Sequence, residues 1–317
     1  MSEPVIAVVG VGAVGGYYGA KLIRAGRNVH LLLRGDYDAI RNNGLEVRSA
    51  IDGDFHLRPE QLQIHRDPRD MPKPDIVLVA LKSTGNDAFQ SLIGPMLKDD
   101  SIVLTIQNGL GNEDQLAHLF GVHRVLGGMA FVCIHRLSPG VVQHIDHGFL
   151  KIGEHAPAGL PPPGPTPRVS RIAKMFTAAG VRCDVLEDLR RGRWEKLVWN
   201  VPFNGLGAVL DLATDRLLGA SAGRNLVMSL MREVIAIAAA DGVHLPPDVI
   251  DRNLTNTRSM GAYQSSTQVD RRHGRALEVE AIFGEPLRRA KSLNIATPNL
   301  EMLYEMVRLV DPAAIGD

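Results

Sequence analysis

Several features are scarce in this 317-residue sequence, and each scarcity argues against a class of protein. Neither sign of charge is in excess, because 35 lysines and arginines balance 35 aspartates and glutamates. Nucleic acid is bound through a basic excess, so we expect no nucleic-acid partner. The two cysteines, Cys133 and Cys183, lie far apart without metal-ligand spacing, which predicts buried free thiols and no oxidising compartment.

Long apolar runs are also missing. No stretch approaches the roughly 20 residues that span a bilayer, and the first apolar run, Val5–Val9, leads into glycines instead of a cleavage site. We therefore expect no membrane association and a cytoplasmic protein. His144 and His147 are close in sequence, but no further ligand cluster accompanies them, so no metal site is predicted.

A glycine motif follows the first apolar run. It reads Gly10-Val11-Gly12-Ala13-Val14-Gly15 and is succeeded by a helix-like segment, Tyr17–Ala25. Strand, G-x-G-x-x-G and helix in this order are typical of dinucleotide binding. The glycines allow a tight turn, close approach of a pyrophosphate to the backbone, and close packing of helix and strand. We therefore predict that residues 10 to 15 bind a dinucleotide cofactor, although such a turn can also bind nothing.

The end of the second predicted strand, Asn28–Arg34, favours NADP over NAD. NAD-specific sites place an acidic residue there to bind the ribose 2′-hydroxyl. Here the strand ends in Arg34, which suits a 2′-phosphate. Asp36 keeps the NAD alternative open, and Arg34 could instead be a solvated surface charge.

Polar residues end two further predicted strands. Lys82 follows Asp75–Leu81, and Asn108 follows Ser101–Gln107. Ligands of open parallel sheets lie beyond the carboxyl ends of the strands. We therefore predict that Lys82 meets the cofactor or an anionic substrate and that Asn108 lies close to the nicotinamide. A solvated lysine and a turn asparagine are the alternatives.

The rest of the chain predicts a second domain. Three short strands, at 125–134, 140–145 and 150–153, precede a proline-rich loop at 156–167, a helix at 169–179 and a strand at 181–186. After that only helical patterns occur, at 193–209, 222–241, 247–256, 274–293 and 300–310. The predicted fold class is α/β, with a Rossmann-type dinucleotide-binding domain (1–188) followed by an all-α domain (189–317). The cleft between the domains is the expected ligand site.

The first helix of the second domain carries an unusual polar face. Lys196, Asn200 and Asn204 are spaced by four residues, which stacks their side chains on one side of a helix. The flanking residues are apolar, so the helix is predicted to be buried nearly all round. Buried polar groups need partners, and either a ligand or other protein groups can supply them.

These motifs together resemble the ketopantoate reductase (2-dehydropantoate 2-reductase) family over nearly the whole chain. What they share with that family is their order and spacing. They comprise Gly10–Gly15, Arg34, Lys82, Gln107-Asn108-Gly109, Lys196 with Asn200 and Asn204, Ser265-Ser266, Glu278-x-Glu280 ahead of Ile282-Phe-Gly284, and the closing segment Ile295–Tyr304.

The resemblance implies NADPH-dependent reduction of 2-dehydropantoate to pantoate, a step towards pantothenate and coenzyme A. It implies that Lys196 is the general acid, and that Glu278 contacts the substrate and the lysine. It further implies that the substrate is held by Asn108, Asn200, Asn204 and Ser266, and that Lys82 lies near the nicotinamide ribose and the reacting carbonyl. A homodimer formed through the helical domain is the expected assembly.

The sequence departs from the family pattern at Gly205–Ala208 and at Asp211–Thr214, which leaves the choice of 2-oxo acid open. The nearest rival is a β-hydroxyacid dehydrogenase, which also has a glycine motif and a lysine and asparagine spaced by four. The Gln107-Asn108-Gly109 motif and the Ser266 and Glu278 pair favour ketopantoate reductase. A non-catalytic NADP-binding sensor is the other rival, but a sensor needs no proton donor such as Lys196.

Overall fold

The computed structural model describes residues 3–157 and 159–314. They form two compact units. The first covers the described residues up to Gln107 together with Asn112–Leu189, and the second combines Asn108–Gly111 with the described residues from Arg190 onward. The predicted fold class, Rossmann-type α/β followed by all-α, is confirmed. The functions assigned to 1–188 and 189–317 stay predictions, and residues 1 and 317 lie outside the described part.

The first unit is a single mixed sheet with helices. Its strands are β1 (Ile6–Val9), β2 (Val29–Leu32), β3 (Leu45–Ser49), β4 (Phe55–Leu57), β5 (Gln63–His65), β6 (Ile76–Val79), β7 (Ile102–Thr105), β8 (Val125–Ser138), β9 (Val141–Glu154) and β10 (Cys183–Val185). Its α-helices are α1 (Ala13–Arg24), α2 (Tyr37–Asn43), α3 (Phe89–Ile93), α4 (Asn112–Phe120) and α5 (Pro167–Ala178).

The strand order is β4-β3-β9-β8-β7-β6-β1-β2-β5, with β10 paired to β9. Within it, the run β5-β2-β1-β6-β7-β8 is parallel throughout. The chain proceeds outward from β1 to β2 and β5 on one side, then returns to β6 on the other. In such sheets the reversal between the first strand and its later neighbour is where ligands bind.

The central parallel strands are buried on both faces, as their apolar sequences require. In β1, Ile6 and Val8 pack into one core, whereas Ala7 and Val9 pack into another. β6 and β7 divide their residues in the same alternating way. The period of two along each strand therefore separates two apolar layers, and helices cover both.

The prediction of three short strands after residue 124 is wrong. The structure has two 14-residue strands, β8 and β9, which form an antiparallel hairpin. Residues 141–145 and 150–153 belong to one strand interrupted by a bulge, where His147 (φ 64°) and Gly148 (φ 114°) adopt left-handed conformations. A polar residue followed by glycine, as in His147-Gly148, is typical of a turn in a sequence. The sequence therefore predicts a break where the structure has a β-bulge.

The proline-rich segment shows no helix or strand among its described residues up to Thr166, and Ala158 lies outside the described part. Both cysteines are free thiols in the first unit, Cys133 buried and Cys183 half-buried. Burial raises the pKa of the Cys183 thiol to about 12. A thiol with such a pKa is unreactive at neutral pH.

The second unit is helical, and no strand occurs in its described residues. Its helices are α6 (Leu189–Leu210, whose first residue belongs to the first unit), α7 (Thr214–Gly219), α8 (Ser221–Ala240), α9 (Val249–Ser259), α10 (Ser266–Arg272), α11 (Glu285–Ser292) and α12 (Pro298–Leu309). One apolar cluster joins α6 to α8, α11 and α12. From Asn200 to Ala208 every residue of α6 is buried, as predicted.

The predicted helix 274–293 is wrong in its first turns. Gly274 adopts φ 65° and ends the segment that follows α10, and residues 275–278 are not helical. A π-helical turn, Glu280–Gly284, then leads into α11. Glu278 therefore lies just before the helical segment, and its carbonyl accepts a hydrogen bond of 3.2 Å from Ile282 N. Among the described helices, none has the length and apolarity needed to cross a bilayer.

Candidate active site

The glycine loop lies at the reversal point of the first unit. Gly10 follows β1 with φ 95°, a conformation that strains any residue with a side chain. A Cβ on Gly10 would stand 2.5 Å from the backbone nitrogen of Leu81, which follows β6. Glycine at this position therefore lets the loop pack directly against the end of β6, next to Lys82.

The space above the loop is open at Gly12. This residue caps the N-terminus of α1, and a Cβ built on it would meet nothing within 4 Å. No side chain caps the helix, and its first turn contains no acidic residue. The first backbone N–H groups of α1 are thus available to an external acceptor, and the N-terminus of a helix favours an anion there. This geometry fits a pyrophosphate held by the backbone of residues 10 to 15.

The region beyond β2 carries both signs of charge. Arg34 is exposed just past the strand. Asp36, whose side chain is only 12% exposed, accepts hydrogen bonds of 2.8 and 2.9 Å from one guanidinium nitrogen of Arg136 on β8. The acidic residue that left the NAD alternative open is therefore engaged by a cation.

Lys82 follows β6, is half-buried, and caps a short 3₁₀ helix, Ser83–Ala88. Asn86 in this helix accepts a hydrogen bond of 2.8 Å from Gln107 Nε2 and donates one of 2.8 Å to Asn112 Oδ1. Gln107 and Asn112 are the two residues at which the chain leaves and re-enters the first unit. Asn86 therefore fixes both ends of the four-residue excursion that contains Asn108.

Asn108 belongs to the second unit. Leu110 N donates a hydrogen bond of 2.9 Å to Ala281 O, and Gly109, with φ 85°, approaches the same carbonyl so closely that a Cβ would stand 2.3 Å from it. These contacts fix the segment that carries Asn108. Its side-chain oxygen accepts a hydrogen bond of 2.8 Å from Lys196 Nζ.

The ammonium of Lys196 is electrostatically unusual. Burial and, to a smaller extent, the positive charge of Arg193 lower its pKa to about 7, although the carboxylate of Glu278 acts in the opposite direction. Burial penalises the charged form of a lysine, and a nearby cation does the same. An ammonium with a pKa near 7 releases its proton readily at neutral pH, so Lys196 can act as a general acid.

The other predicted substrate groups lie further along the second unit. Asn200 and Asn204 are buried on α6. Asn204 Oδ1 accepts hydrogen bonds of 3.4 Å from Ser266 Oγ and Thr267 N, at the start of α10. Ser266 itself is exposed. The structure thus links Asn108 to Lys196 and Asn204 to Ser266, with Asn200 between the two pairs on the helix.

Two details of this region bear on the predictions. Glu280, part of the motif with Glu278, accepts hydrogen bonds from Tyr304 and Arg288, so its carboxylate is engaged by two other side chains of the second unit. The sequence analysis did not predict a role for Arg193. Its position three residues before Lys196 on a helix would have placed the two side chains next to each other. In the described part of the chain, no group of three or more side chains is arranged to hold a metal ion.

Comparisons with known proteins identify the family. Residues 6–157 match the family model described as "Ketopantoate reductase PanE/ApbA", and residues 188–311 match "Ketopantoate reductase PanE/ApbA C terminal". The chain is 42% identical to 2-dehydropantoate 2-reductase of Nostoc sp., over 98% of this chain and 96% of that protein.

Solved structures agree. The crystal structure of 2-dehydropantoate 2-reductase from Geobacter metallireducens GS-15 is 45% identical and has a TM-score of 0.91, covering 96% of this chain and 99% of that one. The dimeric ketopantoate reductase from Staphylococcus aureus, 20% identical with a TM-score of 0.81 over 98% of this chain and 99% of its own, shares the fold. Because both family models match and the sequence similarity extends over nearly the full length of the chain, the chain belongs to the ketopantoate reductase family.

Proposed function

We propose that this chain catalyses the NADPH-dependent reduction of 2-dehydropantoate to pantoate, a step of pantothenate biosynthesis. The observation that carries the proposal is the hydrogen bond of 2.8 Å between Lys196 and Asn108, made by an ammonium whose pKa is about 7. Membership of the ketopantoate reductase family supports the choice of substrate. The first unit binds the cofactor, and the second unit binds the substrate.

The first unit offers the groups that NADPH requires. When bound, NADPH supplies the hydride that the 2-oxo carbon receives. The backbone of residues 10 to 15 binds the pyrophosphate at the N-terminus of α1, where Gly12 leaves open space. Arg34 binds the 2′-phosphate through charge-assisted hydrogen bonds. Lys82, at the carboxyl end of β6, binds the nicotinamide ribose.

The second unit delivers the proton. Lys196 protonates the carbonyl oxygen as the adjacent carbon receives the hydride, so that the ketone becomes a secondary alcohol without a free alkoxide. Asn200, Asn204 and Ser266 offer amide and hydroxyl groups to the polar atoms of the acid. Glu278 keeps a larger fraction of Lys196 protonated at neutral pH, because its carboxylate raises the pKa of the lysine.

A substrate panel tests the reaction. NADPH oxidation is followed with 2-dehydropantoate and with other 2-oxo acids of different size, and we expect the highest kcat/KM for 2-dehydropantoate. A clear preference for another 2-oxo acid would identify a related dehydrogenase. Tight NADPH binding without turnover of any acid would identify a sensor.

The preference for NADPH is tested at Arg34. Replacing Arg34 by Ala removes the cation proposed to bind the 2′-phosphate, so the affinity for NADPH should fall far more than that for NADH. Dissociation constants for both cofactors measure this directly. Equal losses for the two cofactors would show that Arg34 does not distinguish them.

The assembly and location belong to the same proposal. The protein is a cytoplasmic homodimer: the dimeric reductase of Staphylococcus aureus with the same fold supports the dimer, and the two free cysteines fit a reducing compartment. Sedimentation velocity at micromolar concentration tests the dimer. A single monomeric species would contradict it.

A further inference from the structure

The ion pair between Arg136 and Asp36 joins two distant parts of the first unit. Asp36 caps α2 without using its side chain for the cap, and both carboxylate oxygens accept from Arg136 Nη1 at 2.8 and 2.9 Å. The carboxylate is 12% exposed and the guanidinium 46%. The pair spans 100 positions of sequence, so it follows from the fold and not from local chain proximity.

The fold holds the hairpin that carries Arg136 beside α2. Glu46 N donates a hydrogen bond of 2.8 Å to Gly140 O at the hairpin tip. A Cβ on Gly140 would stand 3.1 Å from a side-chain carbon of Ile40 on α2. Strand pairing and packing therefore place Arg136 beside Asp36, and these contacts involve neither the guanidinium nor the carboxylate.

The position of Asp36 makes this pair relevant to the cofactor. Asp36 lies two residues after Arg34, in the segment beyond β2 where the ribose of a dinucleotide binds. A free carboxylate there accepts a hydrogen bond from a 2′-hydroxyl and repels a 2′-phosphate. The sequence around β2 thus contains one residue that favours NADPH and another that favours NADH.

We propose that Arg136 is a specificity-determining residue for NADPH, because it engages and neutralises Asp36 so that the carboxylate neither repels the 2′-phosphate nor binds the 2′-hydroxyl. Arg136 is a positioning residue in this role, since it acts through Asp36. The inference rests on the proposed use of NADPH and adds the reason that a chain with an acidic residue at this place can use it.

The test measures dissociation constants for NADPH and NADH by direct titration, without substrate. In Arg136→Ala the carboxylate is released, so NADPH should bind roughly five- to tenfold more weakly, the size expected for one partly screened charge. NADH binding should stay unchanged or improve. In the double variant Asp36→Asn with Arg136→Ala no charge is released, and the wild-type ratio of the two constants should return.

A matched control is Arg182→Ala. Arg182 forms an exposed ion pair with Asp184 at 2.8 Å in the same unit, so its removal changes the net charge equally. This variant should keep the wild-type ratio. The ratio is also insensitive to a general loss of stability, which thermal unfolding of each variant measures separately.

Three outcomes overturn the inference. An unchanged ratio in Arg136→Ala would mean that the ion pair only attaches the hairpin to α2. A double variant as weak for NADPH as Arg136→Ala would mean that Arg136 binds the phosphate itself. Equal affinity of the wild-type protein for both cofactors would overturn the inference together with the proposed NADPH preference. A wild-type protein that prefers NADPH but reduces no 2-dehydropantoate would overturn only the proposed substrate.

Discussion

The glycine loop of the first unit and the polar face of α6 in the second unit are built from different parts of the chain. The loop presents backbone N–H groups; close packing leaves no room for a side chain at Gly10, and the absence of one at Gly12 leaves open space. The face of α6 presents side chains, and the acidity of Lys196 is set by burial, Arg193 and Glu278. A backbone site is therefore sensitive to added atoms, whereas the side-chain site is sensitive to removed charges.

The largest expected effect comes from removing the proton donor. Lys196→Ala should lower kcat for 2-dehydropantoate reduction by about 10²- to 10⁴-fold, the usual contribution of a general acid. NADPH affinity should stay close to that of the wild type, because the groups proposed to bind its pyrophosphate, 2′-phosphate and ribose belong to the first unit. Steady-state kinetics and a binding titration measure the two quantities. Lys174→Ala, at an exposed position on α5, is the matched control and should change neither.

Near-normal turnover by Lys196→Ala would remove the lysine from the mechanism. A parallel loss of NADPH affinity would contradict the separation of the two sites. The measurement therefore tests both the role of Lys196 as proton donor and the division of cofactor and substrate binding between the two units.

Two glycines of the loop provide the converse test. Gly10→Ala should destabilise the protein by about 2–4 kcal/mol, since it combines an unfavourable φ with a backbone clash. Gly12→Ala should stay within about 1 kcal/mol of wild-type stability, because its Cβ meets open space. It should nevertheless weaken NADPH binding by about 10- to 100-fold, the value of one or two charge-assisted hydrogen bonds to phosphate. Thermal unfolding and titration separate the two losses.

If Gly12→Ala bound NADPH as tightly as the wild type, the open space above α1 would not be the pyrophosphate site. Stability of Gly10→Ala equal to that of the wild type would show that the end of β6 yields to an added methyl group.

The pH dependence of the reduction tests the charges around Lys196. The lysine must be protonated to act as an acid, so kcat/KM should fall as the pH rises through about 7. Glu278→Gln removes the charge that raises the pKa of the lysine, and the fall should move to lower pH. Arg193→Met removes a charge that lowers this pKa, and the fall should move to higher pH. Each shift should be about one pH unit.

The opposite signs make this pair of variants informative. A general disturbance of the second unit would shift both profiles in the same direction, or reduce the rate at all pH values alike. Such a result would contradict the assignment of the falling limb to Lys196.

The fold elements that could be predicted from the sequence are those whose own residues determine their conformation. β1, the glycine loop and α1 combine a buried apolar run with the G-x-G-x-x-G spacing, which between a strand and a helix is typical of dinucleotide binding. The short strands β3, β4 and β5 were missed, because three to five residues with polar side chains on one face resemble loops. β3 and β5 pair with β9 and β2, which are distant in sequence, and β4 pairs with β3.

In the candidate site, too, some features follow from local sequence and others depend on tertiary contacts. The spacing of Lys196, Asn200 and Asn204 is a local property of a helix and could be predicted. That Asn108 leaves the first unit could not, because the contact of Leu110 with Ala281 depends on the tertiary structure. The acidity of the lysine depends equally on burial, which the sequence does not measure.

The smallest expected effect concerns a histidine pair of the first unit. His30 Nδ1 lies 2.9 Å from His65 Nε2, and His30 Nε2 lies 3.1 Å from Asn28 Oδ1. An amide oxygen only accepts, so His30 donates through Nε2 and accepts from His65 through Nδ1. This arrangement keeps His30 neutral. Burial lowers the pKa of both rings, and the charge of His65 lowers that of His30 further.

Because these pKa values are lowered by folding, the unfolded chain binds more protons once the pH falls below about 6.5. The stabilisation is present above that pH and is lost below it, opposite to the loss of catalysis expected above pH 7. His65→Gln keeps a donor for His30 but cannot titrate, so the drop in Tm from pH 7.5 to 5 should shrink by about 1–2 °C. His118→Gln, at an exposed position on α4, should leave the drop unchanged. An equal drop in all three proteins would show that the acid response of the first unit arises elsewhere, while the alkaline response of Lys196 would be unaffected.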